Sequence, residues 1–122
     1  MSGRPSRGFL LGKFLPPHLG HVYLCDFATA YADELSILLC SLPDDPIPGD
    51  LREGWLRRMF PAARLLRLAD PVPQEPADHP DFWAIWRELI GRLHPEPIDF
   101  VFASEAYGRR LAAEVGGRFV PV

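Results

Sequence analysis

Short apolar runs and segments of helical periodicity alternate along most of this 122-residue chain, and this alternation limits the fold more than any other feature. Short apolar runs bounded by turn residues predict buried strands. Strands that alternate with helices imply right-handed crossovers, a parallel sheet and helices on both of its faces. The predicted strands are 8–13, 34–41, 64–69, 98–103 and 118–122, and the predicted helices are 19–32, 50–60, 81–93 and 105–115.

Several helix ends are marked by local signals. Asp50 is the candidate N-cap of the second helix, and Pro61 is its stop. The pair Gly116-Gly117 is the expected stop of the fourth helix. The third helix is the clearest, because its apolar residues follow the i, i+3, i+4 rule and form one stripe. That stripe consists of Phe82, Ile85, Trp86, Leu89, Ile90 and Leu93.

The strand order predicts where functional residues meet. We expect an α/β fold, a Rossmann-like doubly wound parallel sheet of five strands in the order 3-2-1-4-5. In that order a crevice opens between the carboxyl ends of strands 1 and 4. The turn containing His18 and His21 follows strand 1, and Ser104-Glu105 follows strand 4. The assumed order therefore brings two distant polar segments together.

Composition excludes several classes of protein. The net charge of −3 argues against broad electrostatic binding of nucleic acid. No stretch reaches the roughly 18 apolar residues of a membrane span, and no secretory signal is visible, so the cytoplasm is expected. The length fits one domain, assigned to residues 8–122 after a flexible N-terminus at residues 1–7. Cys25 and Cys40 fit no metal-binding spacing and are predicted to be small buried hydrophobic residues.

The turn after the first strand carries the strongest chemical signal. It places His18 and His21 at the start of a helix, where unpaired backbone N–H groups and the helix dipole favour an anion. Two imidazoles there can donate hydrogen bonds to phosphate oxygens, and Lys13 adds a positive charge. Gly12 lets backbone approach a nucleotide, and Gly20 lets a ligand close over the turn without a Cβ. Phosphate chemistry is therefore the first hypothesis.

Other interpretations of the histidines are weaker. Two histidines three residues apart need a third ligand to hold a metal, and the sequence suggests none nearby, so no metal site is predicted. His79 and His94 lie in or beside proline-rich turns and are expected to be exposed to solvent.

The residues of this turn resemble a known family. Gly12-Lys13-Phe14-x-Pro16-x-His18-x-Gly20-His21 is similar to the signature of the H-x-G-H nucleotidyltransferases. More narrowly, the chain resembles the nicotinamide mononucleotide adenylyltransferases, especially the domain of bifunctional bacterial NAD-salvage proteins. Later segments that fit this resemblance are Val22-Tyr-Leu, 32–35, Leu51-Arg52 with Trp55-Leu56 and Phe60, Trp83-x-x-Trp86, and 102–105.

The resemblance implies a reaction and its participants. Members of that family transfer AMP from ATP to nicotinamide mononucleotide, giving NAD and pyrophosphate, with Mg²⁺ accompanying ATP. By position, His18 and His21 would hold the ATP phosphates and stabilise the transition state. Lys13 would lie near phosphate, and the backbone from Gly12 to Phe14 would contact nucleotide. ATP and nicotinamide mononucleotide are thus the expected partners, and a homo-oligomer is left open.

Other carried-over residues have ordinary structural alternatives. Arg52 would bind the mononucleotide or a phosphate, or else would be a solvated charge on a helix face. Trp86 would stack on the nicotinamide ring, or would simply pack in the core, and Trp83 is the reserve candidate. Ser104 and Glu105 would contact ligand or cap the fourth helix.

One departure from the family bears on function. The resemblance implies a second signature after strand 5, a Ser/Thr-rich turn entering a helix with an Arg, whereas this sequence stops at Val122. We therefore expect a domain that is incomplete at its C-terminus. The alternatives to NAD synthesis are a cytidylyltransferase or pantetheine-phosphate adenylyltransferase of the same superfamily, and a non-catalytic nucleotide-binding module.

Overall fold

The computed structural model describes residues 3–122, which form five strands, four α-helices and a short 3₁₀ helix at Pro76–Asp78. The predicted elements are confirmed in kind and order, with bounds that differ by no more than about two residues. The strands are β1 Arg7–Gly12, β2 Glu34–Cys40, β3 Arg64–Leu68, β4 Phe100–Ala103 and β5 Arg118–Pro121. The helices are α1 Leu19–Tyr31, α2 Gly49–Met59, α3 Phe82–Leu93 and α4 Tyr107–Val115.

The sheet has the predicted order, β3-β2-β1-β4-β5, and every pair of neighbouring strands is parallel. β1 pairs with β2 along its whole length, from Arg7 opposite Glu34 to Gly12 opposite Leu39. On its other side β1 pairs with β4, where Phe9 lies opposite Val101. The order of the sheet reverses between β1 and β4, so their carboxyl ends flank the crevice expected of this fold.

Helices cover both faces of the sheet, because neighbouring side chains of a strand point to opposite faces. Phe9 packs in a core with α3 and α4, whereas Leu10 packs in a second core with α1 and α2. In β2, residues Leu35 to Leu39 are all buried, as is typical of a strand covered on both sides. Full burial of each such leucine or isoleucine side chain contributes about 1.5–3 kcal/mol, so this central strand anchors both cores.

The start of α2 differs from the signal in the sequence, whereas the end of α4 agrees with it. Asp50 is not the N-cap of α2: that position is Pro48, which makes no side-chain capping bond. Asp50 lies in the first turn instead, and its carboxylate forms an ion pair with Arg67. Gly116 confirms the predicted stop of α4, since it is the C-cap and has a left-handed φ of 80°.

The predicted flexible N-terminus covers residues 1–7, of which residues 1 and 2 lie outside the described part of the chain. Arg4 forms an ion pair with Asp99, with Nη2 and Oδ1 2.7 Å apart. Of the two cysteines, Cys25 is buried as predicted, whereas Cys40 is only partly buried.

Candidate functional site

The turn after β1 is built around the aromatic ring of Phe14. Phe14 has a left-handed backbone, with φ 54°, which is unusual for a bulky residue and marks a strained turn. Its ring is buried beneath Gly12, where an added Cβ would approach Phe14 Cε2 to 3.3 Å. The same ring lies 4.5 Å from the imidazole of His21, measured between centroids. The buried Phe14 ring therefore packs against the imidazole of His21.

His18 and His21 cap the start of α1 reciprocally. The Nδ1 atom of His18 accepts a hydrogen bond from Gly20 N at 3.0 Å, and His21 Nδ1 accepts one from His18 N at 3.0 Å. The two rings stack with their centroids 3.8 Å apart. A Cβ on Gly20 would lie 2.8 Å from His18 Cε1, so glycine here makes room for the imidazole.

This capping arrangement determines which ring nitrogen carries the proton. A nitrogen that accepts a hydrogen bond from backbone is unprotonated, so each neutral ring carries its proton on Nε2. Burial, followed by the proximity of His18, lowers the pKa of His21. The cap uses the N–H groups of His18 and Gly20, and those of His21 and Val22 donate to His18 O, so the expectation of unpaired backbone N–H groups at these positions is wrong. What the pair offers an anion is two Nε2–H donors at the positive end of the helix dipole.

A buried arginine connects the neighbouring loops. Arg52 is fully buried, so the expectation of a solvated helix-face charge is wrong. A guanidinium has five N–H donors, and all of those of Arg52 meet protein acceptors, which leaves none for a ligand in this arrangement. Nε donates to Ile47 O, Nη1 to Lys13 O and Cys40 O, and Nη2 to Ser41 Oγ and Asp45 Oδ2.

Asp45, which the sequence analysis missed, is the acidic centre of this loop network. Its Oδ2 accepts from Leu42 N at 2.8 Å and from Arg52 Nη2 at 3.1 Å, and its Oδ1 lies 3.1 Å from Lys13 Nζ. Burial alone would raise the pKa of Asp45, but the hydrogen bonds from Leu42 and from the two cations outweigh it and lower that pKa. Asp45 is therefore held as a carboxylate. The only sequence signal was its position in the loop after β2.

A cavity of about 320 Å³ opens at the carboxyl ends of β1 and β2, between α3 and the start of α4. Trp86 is almost fully buried, which confirms that it packs in the core, and it also lines this cavity, while its Nε1 donates to Pro73 O at 3.0 Å. The lining residues are Leu11, Gly12, Lys13, Cys40, Gln74, Glu75, Pro76, Phe82, Trp83, Trp86, Glu105, Tyr107 and Leu111.

The cavity brings together only part of the predicted site. Gly12 and Lys13 from the end of β1 meet Glu105 from the segment after β4, whereas the sequence analysis expected the His18/His21 turn itself to meet Ser104-Glu105 there. The sequence-predicted residues that do not line it are Phe14, His18, Gly20, His21, Arg52 and Ser104. The histidine pair and the cavity are thus two features of the same sheet edge, joined by the short segment between Gly12 and His18.

Two further predicted residues, Trp83 and Glu105, line the cavity. Trp83 is partly buried, and the guanidinium carbon of Arg110 lies 5.2 Å from its ring centroid. Ser104 and Glu105 are exposed, and the N-cap of α4 is Ala106 with no side-chain bond, so the capping alternative is wrong. Burial, followed by Glu105, raises the pKa of Tyr107 to about 12.

The remaining two histidines behave differently from one another. His79 is exposed, as predicted. His94 is not: it is 3% exposed, and the prediction for it was wrong because one of its two polar partners, Ser36, lies on a strand far away in the sequence. Its Nε2 lies 3.0 Å from Ser36 Oγ, and its Nδ1 lies 2.9 Å from the Glu96 carbonyl oxygen.

Two classes of feature are absent from the described residues. Within residues 3–122 no group of three His, Cys, Asp or Glu side chains is arranged to hold a metal ion. None of the helices in that part of the chain combines the length and apolar character needed to cross a bilayer.

Comparison with known proteins finds similarity of sequence to two NAD biosynthesis/regulator proteins. No protein-family model matches the chain. The trifunctional NAD biosynthesis/regulator protein NadR of Escherichia coli (strain K12) is 27% identical over 115 residues, which cover 80% of this chain and 28% of that protein. This chain is homologous to a segment of NadR. NadR of Salmonella typhimurium is also 27% identical, over 96 residues that cover 68% of this chain and 23% of that protein.

Solved structures share the fold. A NadR structure in complex with NR has a TM-score of 0.73 and 17% identity, covering 98% of this chain and 37% of that one. A bifunctional NMN adenylyltransferase/ADP ribose pyrophosphatase from Francisella tularensis has a TM-score of 0.70 and 17% identity, covering 98% and 37%. A lipopolysaccharide core biosynthesis protein from Thermoplasma volcanium has a TM-score of 0.67 and 12% identity, covering 98% and 97%.

These matches define what the chain shares with its relatives. The chain has a Rossmann-like α/β fold that matches the fold of NadR, in the strand order predicted from sequence. The chain spans less than a third of the length of the curated NadR proteins that it matches.

Proposed function

We propose that this chain transfers AMP from ATP to nicotinamide mononucleotide, forming NAD and pyrophosphate. The observation that carries the proposal is the reciprocal cap of His18 and His21, which presents two Nε2–H donors at a helix start. Homology to a segment of NadR supports the same reaction class. A NadR structure that shares the fold contains NAD and AMP-PNP, and this supports nucleotide ligands.

The two features of the sheet edge suit two different parts of the reaction. Phosphates of ATP would lie at the start of α1 against the Nε2–H groups of His18 and His21. The cavity beside Trp86 would take the pyridine ring of the acceptor, since its wall is largely aromatic and aliphatic. Lys13 also lines that cavity, and its charge would act on a phosphate bound beside it.

The chemistry needs no covalent intermediate with the protein. A phosphate oxygen of the mononucleotide attacks the α-phosphorus of ATP in line, a new P–O bond forms, and the bond to the β-phosphate oxygen breaks to release pyrophosphate. Extra negative charge develops on the α-phosphate oxygens, where the Nε2–H donors of His18 and His21 and the charge of Lys13 would stabilise it. Because these donors are already oriented by the fold, little reorganisation is required.

Mg²⁺ belongs to the substrate in this proposal. Within residues 3–122 no three side chains of His, Cys, Asp or Glu converge on a metal position, and Asp45 is occupied by Lys13 and Arg52. Mg²⁺ commonly binds phosphate oxygens and water with few protein ligands. We therefore expect it to arrive with ATP as MgATP.

The test is a transfer assay on the purified chain with matched histidine variants. Pyrophosphate release and dinucleotide formation are measured for ATP and CTP against nicotinamide mononucleotide, its acid analogue and pantetheine phosphate. Only ATP with a pyridine mononucleotide should react. His18→Ala and His21→Ala should each lower kcat by about 100-fold or more, as expected when one transition-state donor is lost. Their cost in unfolding free energy should be only about 1 kcal/mol, the typical value of one cap.

The control is His79→Ala, which removes an exposed imidazole outside the site and should leave the rate unchanged. Near wild-type turnover after loss of both His18 and His21 would overturn the proposal. ATP binding with no pyrophosphate release from the wild-type chain would support the non-catalytic nucleotide-binding module instead.

A further inference from the structure

Lys13 is the only lysine in the sequence, and both its backbone carbonyl and its side-chain ammonium have polar partners. Its backbone carbonyl accepts a hydrogen bond from Arg52 Nη1 at 2.8 Å. Its ammonium lies 3.1 Å from Asp45 Oδ1. Arg52 and Asp45 are themselves paired, with Nη2 and Oδ2 3.1 Å apart, and their side chains are 0% and 8% exposed. The buried Arg52–Asp45 ion pair therefore binds both the backbone and the side chain of Lys13.

We infer that Asp45 is a positioning residue for the transfer reaction, acting through Lys13, whose ammonium it holds at the wall of the cavity. The inference deepens the proposed function and rests on it. Asp45 itself does not line the cavity, whereas Lys13 does. Lys13, not Asp45, is the group that would meet a phosphate.

The two oxygens of Asp45 have separate tasks, and this makes the inference testable. Oδ2 accepts both Leu42 N and Arg52 Nη2, and these bonds tie the loop after β2 to the start of α2. Oδ1 contacts Lys13 alone among the hydrogen-bond donors of the described residues. An Asn side chain can keep the first task with its amide oxygen, while its NH₂ group cannot accept from an ammonium.

Positioning matters here because lysine is flexible and the cavity holds competing carboxylates. A lysine side chain has four rotatable carbons and loses considerable rotamer freedom when it is fixed. The Lys13 side chain is still 38% exposed, so packing alone does not fix its ammonium. Glu75 and Glu105 also line the cavity and would attract an ammonium that was not held by Asp45. An ammonium that is fixed in position increases the rate because it is already oriented towards the charge that develops in the transition state, whereas a mobile ammonium is not.

The first test reads the position of Lys13 directly and needs no activity. Because the chain has one lysine, ¹³C-lysine labelling gives one set of side-chain signals in NMR spectra, with a single Cε signal. In the wild type, the two ε-protons should be resolved from each other and Cε should relax like an ordered group. Asp45→Asn should merge the two proton signals and give Cε the relaxation of a mobile side chain. The matched control is Asp44→Asn, which removes the same charge from an exposed neighbour.

The second test asks whether the position is used in the reaction. Asp45→Asn should lower kcat for AMP transfer about tenfold or more, the scale expected of a misplaced catalytic group. In a Lys13→Met background the same change should have no further effect on kcat, because the residue through which it acts is absent. A merely structural role of Asp45 would lower kcat in both backgrounds.

The outcomes separate this inference from the proposed function. If wild type and variants all release no pyrophosphate, the proposed function fails, and the affinity for ATP measured by calorimetry replaces kcat in the same comparison. An Asp45→Asn variant that frees Lys13 but leaves kcat and ATP affinity unchanged overturns the inference. If that variant does not fold, the wild-type spectrum decides: an ordered Lys13 Cε supports the inference and a mobile one contradicts it.

Discussion

Gly20→Ala should separate the stability of α1 from the placement of the His18 ring. A Cβ at Gly20 would lie 2.8 Å from His18 Cε1 and 3.0 Å from Nδ1, both closer than a normal contact. The imidazole is the nearest group and lies at an exposed helix start, so it should swing away. That movement breaks the bond from Gly20 N to His18 Nδ1.

Two effects on stability should nearly cancel. Loss of one N-cap bond costs about 1 kcal/mol, and alanine in place of glycine in a helix stabilises by about 0.5–1 kcal/mol. The net change in unfolding free energy should therefore stay within about 0.5 kcal/mol of zero. The rate of AMP transfer should fall about tenfold to 100-fold, because a donor displaced by a fraction of an ångström no longer fits the transition state.

The assay pairs urea unfolding with the rate of pyrophosphate release on the same preparation. Gly54→Ala in the middle of α2 is the matched control, since a Cβ there meets nothing within 4 Å. It should stabilise the protein by about 0.5–1 kcal/mol and leave the rate unchanged. An undiminished rate in Gly20→Ala would refute the role of His18 as a donor to the transition state. A loss of more than about 2 kcal/mol in unfolding free energy would refute the expectation that the His18 imidazole moves away from the new Cβ.

Three further outcomes follow from the packing and charges. His94→Leu strands the Ser36 hydroxyl in the core and should lower the unfolding free energy by about 2 kcal/mol or more in urea titrations; a loss below about 0.5 would contradict this. Gly108→Ala places a Cβ 2.5 Å from the Phe119 ring and should cost about 1–3 kcal/mol in the same assay, and an unchanged midpoint would contradict it. Folding lowers the pKa of His21. As the pH falls from 7.5 to 5.5, this imidazole is therefore protonated in the unfolded chain before it is protonated in the folded chain. Unfolding free energy should thus be level above about pH 6.5 and decline below it, and His21→Gln should flatten that decline; an equal decline in the variant would contradict the cause.

The fold was predictable because its signals are local. Short apolar runs such as residues 34–41 and the stripe of α3 each carry their own periodicity, and the handedness of crossovers limits how they can connect. The bounds differ most at β4 and at the start of α4, where Ile98 is buried outside the strand and Ala106 is an N-cap without a side-chain bond. Burial and strand pairing are distinct properties, and the sequence pattern reports mainly the first.

The site was predictable in residue type but not in arrangement. His18 and His21 could be selected from their spacing, yet their reciprocal cap depends on the close approach of a ring to Gly20, which no spacing rule describes. Arg52 and His94 were misplaced for a different reason: their burial depends on acceptors far along the chain, such as Lys13 O for the arginine. Long-range polar partners leave no periodic signal in a single sequence.

The central claim is that the Nε2–H groups of His18 and His21 meet the phosphates of a nucleotide. The most direct measurement is ¹⁵N imidazole NMR of the chain during titration with MgATP. Before addition, both rings should show an unprotonated Nδ1 and a protonated Nε2, as the capping bonds require. On addition, the Nε2 signals of His18 and His21 should shift while those of His79 stay in place. Saturating MgATP that leaves both Nε2 signals unmoved, or a starting spectrum with protonated Nδ1, would contradict the account.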